Sequence, residues 1–301
     1  MMNFNETNNV ITKKLQSNTP FNLIRLDNTA GYIMNCLFKK INPSSEFFSD
    51  VTLLQGGIYP NSCEYYLEHV TPRLLETMYA ADILSVVDVA GEIESGNFFE
   101  NFPSVPFKYA GKYGHYILDP GALLGHSHLD KLDCPWTANL KNKKVLVIST
   151  HRESILRQWE NIDKIWGSNR DLIAPFDLID VIRSPYHPLM DDRQPPNCEH
   201  WLQSVDYIKD LIDTYEYDVL LSGSSSSSPF YVHHAKMNGK IGIQLGGVHQ
   251  LFFGITGYRW NQGEYSPWKN MYNEHWIFPL EIDEAQKRKK LLQLESNFAY
   301  W

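Results

Sequence analysis

The sequence predicts an α/β protein with a Rossmann-like, mostly parallel sheet and flanking helices. Over residues 140–255, short continuous apolar segments alternate with longer segments whose apolar residues recur at helical spacing. This strand–helix alternation is typical of parallel sheets connected by crossover helices. The composition agrees, because 301 residues with 43% hydrophobic and 21% charged side chains provide a sizeable core in one or two domains.

The N-terminal part is expected to be a second α/β portion, over residues 16–135, that packs on this sheet. Residues 1–15 are polar and are expected to form a loose segment. FNLIRL, residues 21–26, is predicted to be a short buried strand, and GYIMNCLFKK, residues 31–40, the helix that follows it.

The rest of this portion is less regular. Residues 64–87 carry apolar side chains at helical spacing, and Pro72 is expected to divide them into two helices. Residues 91–130 are rich in glycine, proline and aromatic residues, which predicts loops and short helices.

Residues 136–285 are predicted to form the Rossmann-like portion, followed by a tail or helix over residues 286–301. Residues 16–285 could also form a single domain. The predicted strands are KKVLVIST (143–150), FDLIDVIRS (176–184), DVLLSG (218–223) and KIGIQLGG (240–247). The predicted helices are residues 154–166, 199–215 and 229–239.

Charge and segment composition exclude several classes of function. The net charge is −8 and there is no basic block, so nucleic acid is not an expected partner. The sequence contains no apolar stretch of about 18 residues, so no transmembrane helix is expected. The N-terminus also lacks the apolar core of a signal peptide. The cysteines are far apart and form no metal-binding pair, which predicts free thiols in the cytoplasm. They are Cys36, Cys63, Cys134 and Cys198.

Gly223 and the five serines that follow it stand at the carboxyl end of a predicted strand, where open parallel sheets bind ligands. Small side chains allow a phosphate to approach, hydroxyls add donors, and the N-terminus of the next helix favours an anion. Pro229 suits the first turn of that helix. The run therefore predicts a diphosphate-binding turn, with a plain strand–helix loop and a serine N-cap as the alternative.

The next predicted strand ends in Gly246-Gly247, which permits close approach of the backbone to a ligand. His249, Gln250 and Arg259 follow, and these side chains can bind hydroxyl or phosphate groups. Trp260 could stack on a ligand. The alternatives are a surface histidine at position 249 and a core aromatic at position 260.

Residues 218–260 follow the pattern D-x-x-L-x-G-x-(small)-x-(small)-x-P, then K-x-x-G-K-x-x-I-x-L-G-G-x-x-Q-x-x-F-G-I-x-G-x-R-W. This pattern resembles a family of sugar transferases from polysaccharide gene clusters, which are similar to glycosyltransferases of the GT-D fold. FNLIRLDNTAGY, GGIYP, PWTANLKNKKVLVIS and YNEHWIFP also match, so the resemblance covers about residues 20–280. It is more specific in the C-terminal half.

Glycosyltransferases of the GT-D fold carry an R-x-G-D-G-E-like stretch after the first strand, whose acidic D-x-E pair is associated with the metal and the donor diphosphate. The nearer relatives that this chain resembles tend to read R-L-G-N-T-E. Here the stretch reads Arg25-Leu26-Asp27-Asn28-Thr29-Ala30, so Asn28 and Ala30 replace the acids. The resemblance also aligns GSSSSSP and QLGGVH with two further strand-end motifs, with Gln244 in place of an aspartate. Tightly bound Mg²⁺ or Mn²⁺ is therefore not expected. Asp27 could substitute, Arg25 and helix N-termini could suffice, or catalysis could be lost.

The resemblance implies a glycosyltransferase that moves a sugar from a nucleotide-sugar donor to a glycan acceptor. Asp27 is the first candidate for the base or metal ligand, and His151 and His249 are the next candidates for the base. Arg152 is a further candidate for the diphosphate, or else it opens a helix beside an exposed His151. The expected donor-binding residues are Arg25, Asn28, Gly223, Ser224, Ser225, Ser226, Gly246, Gly247, Gln250 and Arg259.

Ala30 favours an alternative, a catalytically degenerate nucleotide- or sugar-binding protein derived from such a transferase. Other α/β enzymes are disfavoured by the sequence. No G-x-G-x-x-G stretch opens a helix after a strand, as a dinucleotide site requires. No G-x-S-x-G stretch is present, as an esterase of the α/β-hydrolase type requires.

Overall fold

The computed structural model describes residues 4–26, 57–60, 62–86, 116–118, 135–173, 175–184, 195, 197–261 and 269–281. Within this part of the chain, seven strands form one sheet in which every pairing is parallel. The strands are β1 (Phe21–Leu26), β2 (Ile83–Val86), β3 (Tyr116–Leu118), β4 (Lys144–Ser149), β5 (Asp177–Arg183), β6 (Val219–Ser222) and β7 (Ile241–Gln244). Their order across the sheet is β3-β2-β1-β7-β6-β4-β5. The predicted α/β class with a parallel, Rossmann-like sheet is confirmed.

Helices cover both faces of the sheet. They are α1 (Phe4–Ser17), α2 (Cys63–Tyr65), α3 (Thr71–Tyr79), α4 (Arg152–Trp159), α5 (Ile162–Trp166), α6 (Trp201–Ile212), α7 (Ser228–Met237) and α8 (His249–Phe252). One apolar core lies between the sheet and α3, α6 and α7, and a second lies between the opposite face and α1, α4, α5 and α8. In β4, Leu146 and Ile148 face the first core while Val145 and Val147 face the second. A strand buried on both faces must be apolar throughout, which explains the sequence KVLVIS.

Residues 140–255 follow the predicted order of strands and helices closely. One predicted helix is divided, because α4 ends at Trp159 and α5 begins at Ile162. The turn between them places Asn161 before α5, where its backbone carbonyl accepts from Lys164 and Ile165 N–H groups. The apolar spacing of residues 154–166 was continuous, so periodicity alone did not reveal this break.

The N-terminus differs from the prediction of a loose segment at residues 1–15. Residues 4–17 form α1, in which Ile11 and Leu15 are fully buried. Asn8 Oδ1 also accepts a hydrogen bond from Trp136 N at 2.7 Å. The segment is polar on average, but Ile11 and Leu15 lie four residues apart on one helix face, and that face packs on the core.

Residues 64–87 are not two helices, because the last part of this segment is β2. α3 ends at Tyr79, and β2 then pairs in parallel with β1, with Ile24 opposite Leu84 and Arg25 opposite Ser85. Pro72 lies in the first turn of α3, where a missing N–H group costs no helical hydrogen bond. A π-helical turn, Tyr66–Val70, precedes it. The strand forms because pairing with β1 overrides the local helical spacing.

The two predicted portions share one sheet, since β1 lies between β2 and β7. Residues 16–135 and 136–285 therefore are not separate sheets. The predicted helix at residues 31–40 and the tail at 286–301 lie outside the described residues, as does most of 91–130, where β3 is described. None of the helices described in the structure has the length and apolar character that crossing a membrane requires.

Candidate functional site

Four neighbouring strands, β1, β7, β6 and β4, end side by side at the carboxyl edge of the sheet. Because the strands are parallel, the segments that follow them are gathered at this edge, where ligands of open α/β sheets bind. The residues concerned are Arg25 in β1, Gly246 and His249 after β7, Ser222–Ser228 at the end of β6, and Ser149–His151 at the end of β4.

Arg25 is held against the turn that follows β7. Its backbone N–H donates to Gln244 Oε1 at 2.8 Å, and its Nη1 donates to the Leu245 carbonyl oxygen at 3.0 Å. Gly246 has a φ of +66°, and a Cβ atom at this position would collide with Arg25 Nη1. Both the backbone conformation and the nearby guanidinium therefore require glycine at position 246. The structure thus brings together Arg25 and Gly246, two residues that the sequence assigned to donor binding.

The serine run is a hydrogen-bonded turn rather than a flexible linker. Ser228 Oγ accepts from Ser222 Oγ at 2.9 Å and from the Ser224 N–H at 2.8 Å. Ser227 Oγ donates to the Ser224 carbonyl oxygen at 2.7 Å. Ser227 directly precedes α7, but its side chain makes no cap hydrogen bond. The serine N-cap of the alternative interpretation is therefore wrong, because these hydroxyls hold the turn itself in shape.

Ser226 differs from these serines. Its Oγ is buried and has no hydrogen-bond partner among the residues that the structure describes. Ser226 and Arg25 line the same pocket, whose other walls are mostly apolar side chains of β1, α3, α6 and α7. A buried hydroxyl without a partner costs about 1–3 kcal/mol, which a hydrogen bond to a bound ligand would offset.

His249, the first residue of α8, is buried, and both of its ring nitrogens are hydrogen-bonded. Nδ1 lies 2.7 Å from the Gly246 carbonyl oxygen, and Nε2 lies 2.6 Å from Ser149 Oγ. Since a carbonyl oxygen only accepts, Nδ1 carries the proton and Nε2 accepts from the Ser149 hydroxyl. Burial, with repulsion from His151, lowers the pKa of His249 to about 3. Gly223 lies against the ring, and a Cβ atom there would collide with it.

His151 and Glu281 form a buried pair beside His249. His151 Nδ1 lies 3.9 Å from Glu281 Oε2, and the His151 ring stacks on His249 with centroids 6.3 Å apart. Glu281 Oε1 accepts from the N–H groups of Glu153 and Ser154 at 3.1 and 3.2 Å, and Oε2 accepts from the Ser154 hydroxyl. Burial would raise the pKa of Glu281, but His151 and Ser154 lower it to about 2. The carboxylate thus occupies the N-terminus of α4.

The alternatives that placed the two histidines at the surface are therefore wrong, since His151 is 2% and His249 is 3% exposed. Arg152, the further candidate for the diphosphate, instead donates to the Val181 carbonyl oxygen at 2.7 Å and to Asp180 Oδ1 at 3.1 Å. Helix α4 places this arginine over β5, which explains why it turns towards that strand.

Other predicted donor-binding residues have structural contacts of their own. Gln250 is fully buried, and its Nε2 donates to the carbonyl oxygens of Ile255 and Thr256 at 3.4 and 3.1 Å. Arg259 is exposed, with its guanidinium carbon 5.6 Å from the centre of the Trp260 ring. Trp260 itself is 2% exposed, as the core interpretation expected.

The remaining predicted residues divide into two groups. Ser225, with a φ of +48°, and Gly247 lie in the turns that follow β6 and β7. Asp27 and Asn28 lie outside the described residues, and so does Ala30. Roles for Asp27 and Asn28 stay predictions.

The sequence did not single out Ser149 or Glu281. Ser149 stands at the end of an apolar strand, which is a weak signal for a polar contact. Glu281 meets Ser154 across 127 residues of chain, so no local spacing could pair them. Gln244 was noted only as a replacement for an acid, yet its side-chain oxygen accepts the backbone N–H of Arg25.

Within the described residues, no group of three or more His, Cys, Asp or Glu side chains is arranged to hold a metal ion. Asp27, the carboxylate expected to act as a metal ligand, lies outside those residues. Comparison of the chain with protein-family models, curated proteins and solved structures finds no match.

Proposed function

We propose that this protein is a glycosyltransferase that transfers a sugar from a nucleotide-sugar donor to a glycan acceptor. The donor diphosphate binds at the carboxyl edge of the sheet, beside β1 and β7. The observation that carries the proposal is the Arg25 guanidinium, which is held against Leu245 and Gly246 at this edge, with the Ser226 hydroxyl, unpartnered among the described residues, in the turn before α7.

A cation, a hydroxyl and a helix N-terminus together suit a diphosphate. The guanidinium offers several N–H donors, and the N-terminus of α7, a ten-residue helix, adds the positive end of its dipole. The Ser228 N–H already donates to the Ser225 carbonyl oxygen and Pro229 has no N–H, so the helix contributes its dipole rather than its first donors. Arg25 is also fixed in place by Leu245 and Gly246, so little conformational freedom is lost when an anion binds.

Sugar transfer forms a bond between the acceptor oxygen and the anomeric carbon and breaks the bond from that carbon to the donor phosphate. Arg25 and the helix N-terminus stabilise the negative charge on the leaving diphosphate. The acceptor proton passes to a base, for which Asp27 is the remaining candidate. His249 does not suit this role, because both of its ring nitrogens are engaged inside the protein.

The burial of both candidate histidines favours a second function, a nucleotide- or sugar-binding protein that does not catalyse transfer. In such a protein Arg25 and Ser226 keep their anion-binding role, and no base is required. The two functions therefore predict the same binding and differ only in turnover.

We expect donor binding to depend weakly or not at all on a divalent ion. Asp27 is the only carboxylate in the segment Arg25–Ala30, and one carboxylate provides too few oxygen ligands for tight Mg²⁺ or Mn²⁺ binding. Donor affinity measured with EDTA and with excess Mn²⁺ tests this. A strict requirement for Mn²⁺ that Asp27→Asn abolishes would contradict it.

The proposal is tested by calorimetry and thermal shift with a panel of nucleoside diphosphates and their sugar conjugates. A ligand at a hundredfold excess over its Kd stabilises the folded protein by about 2.7 kcal/mol. We expect Arg25→Ala to lower the affinity for the best ligand about tenfold or more, the loss expected for one charge-assisted contact. Arg157→Ala, which removes an exposed arginine on α4, is the matched control.

Release of free nucleoside diphosphate in the presence of glycan acceptors separates the two functions. Turnover supports the transferase, whereas binding without turnover across the panel supports the non-catalytic protein. If no nucleotide or nucleotide sugar binds, or if Arg25→Ala and Arg157→Ala bind equally well, the proposed donor site is wrong.

A further inference from the structure

His249 connects the ends of three strands. Its ring is hydrogen-bonded to Ser149 at the end of β4 and to Gly246 after β7, and it packs against Gly223 after β6. The missing side chain at position 223 leaves room for the ring, since a Cβ atom there would overlap the imidazole. His249, which the sequence predicts as a candidate base, is thus buried between the carboxyl ends of these three strands.

The turn that follows β7 is held from two sides. On one side Arg25 Nη1 donates to the Leu245 carbonyl oxygen, and on the other side His249 Nδ1 donates to the Gly246 carbonyl oxygen. Two successive carbonyl groups therefore connect the guanidinium to the imidazole. A movement of the turn changes the position of both side chains together.

We propose that His249 is a positioning residue, whose Nδ1–H bond to Gly246 sets the place of the Arg25 guanidinium at the carboxyl edge. The inference rests on the proposed function, since it treats Arg25 as the anion-binding group. It assigns His249 no contact with a substrate.

The tautomer makes this role specific. The Gly246 carbonyl requires a proton on Nδ1, and the Ser149 hydroxyl can then donate only to Nε2. Ser149 Oγ in turn accepts from the His151 N–H at 3.0 Å, so its own proton is directed at His249. The ring therefore has one orientation, in which its Nδ1–H holds the Gly246 carbonyl oxygen of the turn.

Two amide variants separate the two hydrogen bonds. The side-chain amide of asparagine reaches about as far as Nδ1 of histidine, and its N–H can donate to Gly246. The amide of glutamine reaches about as far as Nε2, and its oxygen can accept from Ser149. His249→Asn thus keeps the bond to the turn, whereas His249→Gln keeps the bond to β4. Ser149→Ala removes the bond to β4 from the other side and changes little volume.

The first measurement is the affinity for inorganic pyrophosphate, used as the probe, with folding checked by circular dichroism and urea unfolding. We expect His249→Gln to weaken binding by about tenfold. His249→Asn and Ser149→Ala should bind within about threefold of the unchanged protein, because the bond to Gly246 remains. Equal affinity in all the folded variants, or equal loss in all of them, would overturn the inference.

The second measurement needs no ligand. NMR exchange measurements report rotation of the Arg25 guanidinium, which is slow while Nη1 donates to Leu245. We expect faster rotation in His249→Gln and unchanged rotation in His249→Asn. If the unchanged protein binds neither pyrophosphate nor any nucleoside diphosphate, the proposed function is wrong. The positioning role is then tested only by the rotation rate of the Arg25 guanidinium. Rotation that is the same in both variants would contradict that role.

Discussion

The guanidinium of Arg25 occupies the space that a side chain at position 246 would need, so Arg25 and Gly246 are complementary across the boundary between β1 and β7. This contact joins residues from opposite parts of the chain. It also makes glycine at this position a requirement of the site and not only of the turn.

We expect Gly246→Ala to destabilise the protein more than Gly239→Ala. Both glycines have left-handed backbones, with φ of +66° and +74°, so both substitutions carry the same strain of about 1–2 kcal/mol. A Cβ atom at position 239 meets nothing, whereas at position 246 it displaces Arg25. Urea unfolding measures the difference, and pyrophosphate affinity should fall only in Gly246→Ala. Equal destabilisation and equal affinity would show that the Arg25 contact is unimportant.

Ser226→Ala and Ser228→Ala should have opposite consequences. Ser226 loses no hydrogen bond, so its replacement should leave the free energy of unfolding unchanged or raised, while anion affinity falls. Ser228 accepts from Ser222 and from the Ser224 N–H, so its replacement should cost about 1–3 kcal/mol. Urea unfolding and calorimetry with pyrophosphate measure both effects. A Ser226→Ala protein that is clearly less stable would contradict this division of the serine run.

The stability of the protein should fall on acidification through protonation of Glu281. Its folded pKa is about 2 against an ordinary value of 4.5, so between these pH values the unfolded chain binds more protons than the folded one. The contribution is complete above pH 4.5 and is lost as the pH falls towards 2. In Glu281→Gln, we expect the free energy of unfolding to depend less steeply on pH within this window. Glu216→Gln, which removes an exposed carboxylate, is the control and should leave the slope unchanged. An unaltered slope in Glu281→Gln would rule out this contribution.

His249 should stay neutral from about pH 4 to pH 8, whereas an ordinary histidine titrates within this range. Burial lowers its pKa to about 3 from 6.5, because the charged ring would lose its hydration. Below pH 6.5 the unfolded chain gains a proton that the folded protein does not, so stability declines from pH 6.5 towards pH 3. The ring carbon-bound protons report the charge by NMR. A midpoint near 6.5 for His249 would disprove the buried, neutral state.

Local pattern predicted most of the sheet but little of the site. β4, β6 and β7 are buried on both faces, so their continuous apolar runs are a clear signal, whereas β5 at the edge of the sheet is only partly buried. β2 has a short apolar run of its own, ILSV, but this run continues the helical spacing of the residues before it, so its pairing with β1 and β3 was not predicted. The contacts of Glu281 with Ser154 and of Arg25 with Gln244 connect residues 127 and 219 positions apart, and no spacing rule reaches that far.

The same reasoning explains why the burial of the two candidate histidine bases was not predicted. A histidine after a strand end has the same local sequence whether its ring faces water or fills the space above a glycine. The informative pair was Gly223 and His249, because the glycine makes room for the ring. Their proximity became visible only when β6 and β7 were placed side by side.

The central place of β1 has a consequence for how the chain folds. β7 cannot complete its hydrogen bonding until β1, more than two hundred residues earlier, has joined it. Closing so long a loop is entropically unfavourable before the contacts that reward it exist, which predicts slow folding with late assembly of the sheet. A fragment that begins after β3 would leave the backbone groups on one edge of β7 unpaired, and these groups could pair with strands of other chains. The carboxyl-edge site should therefore be among the last features to form.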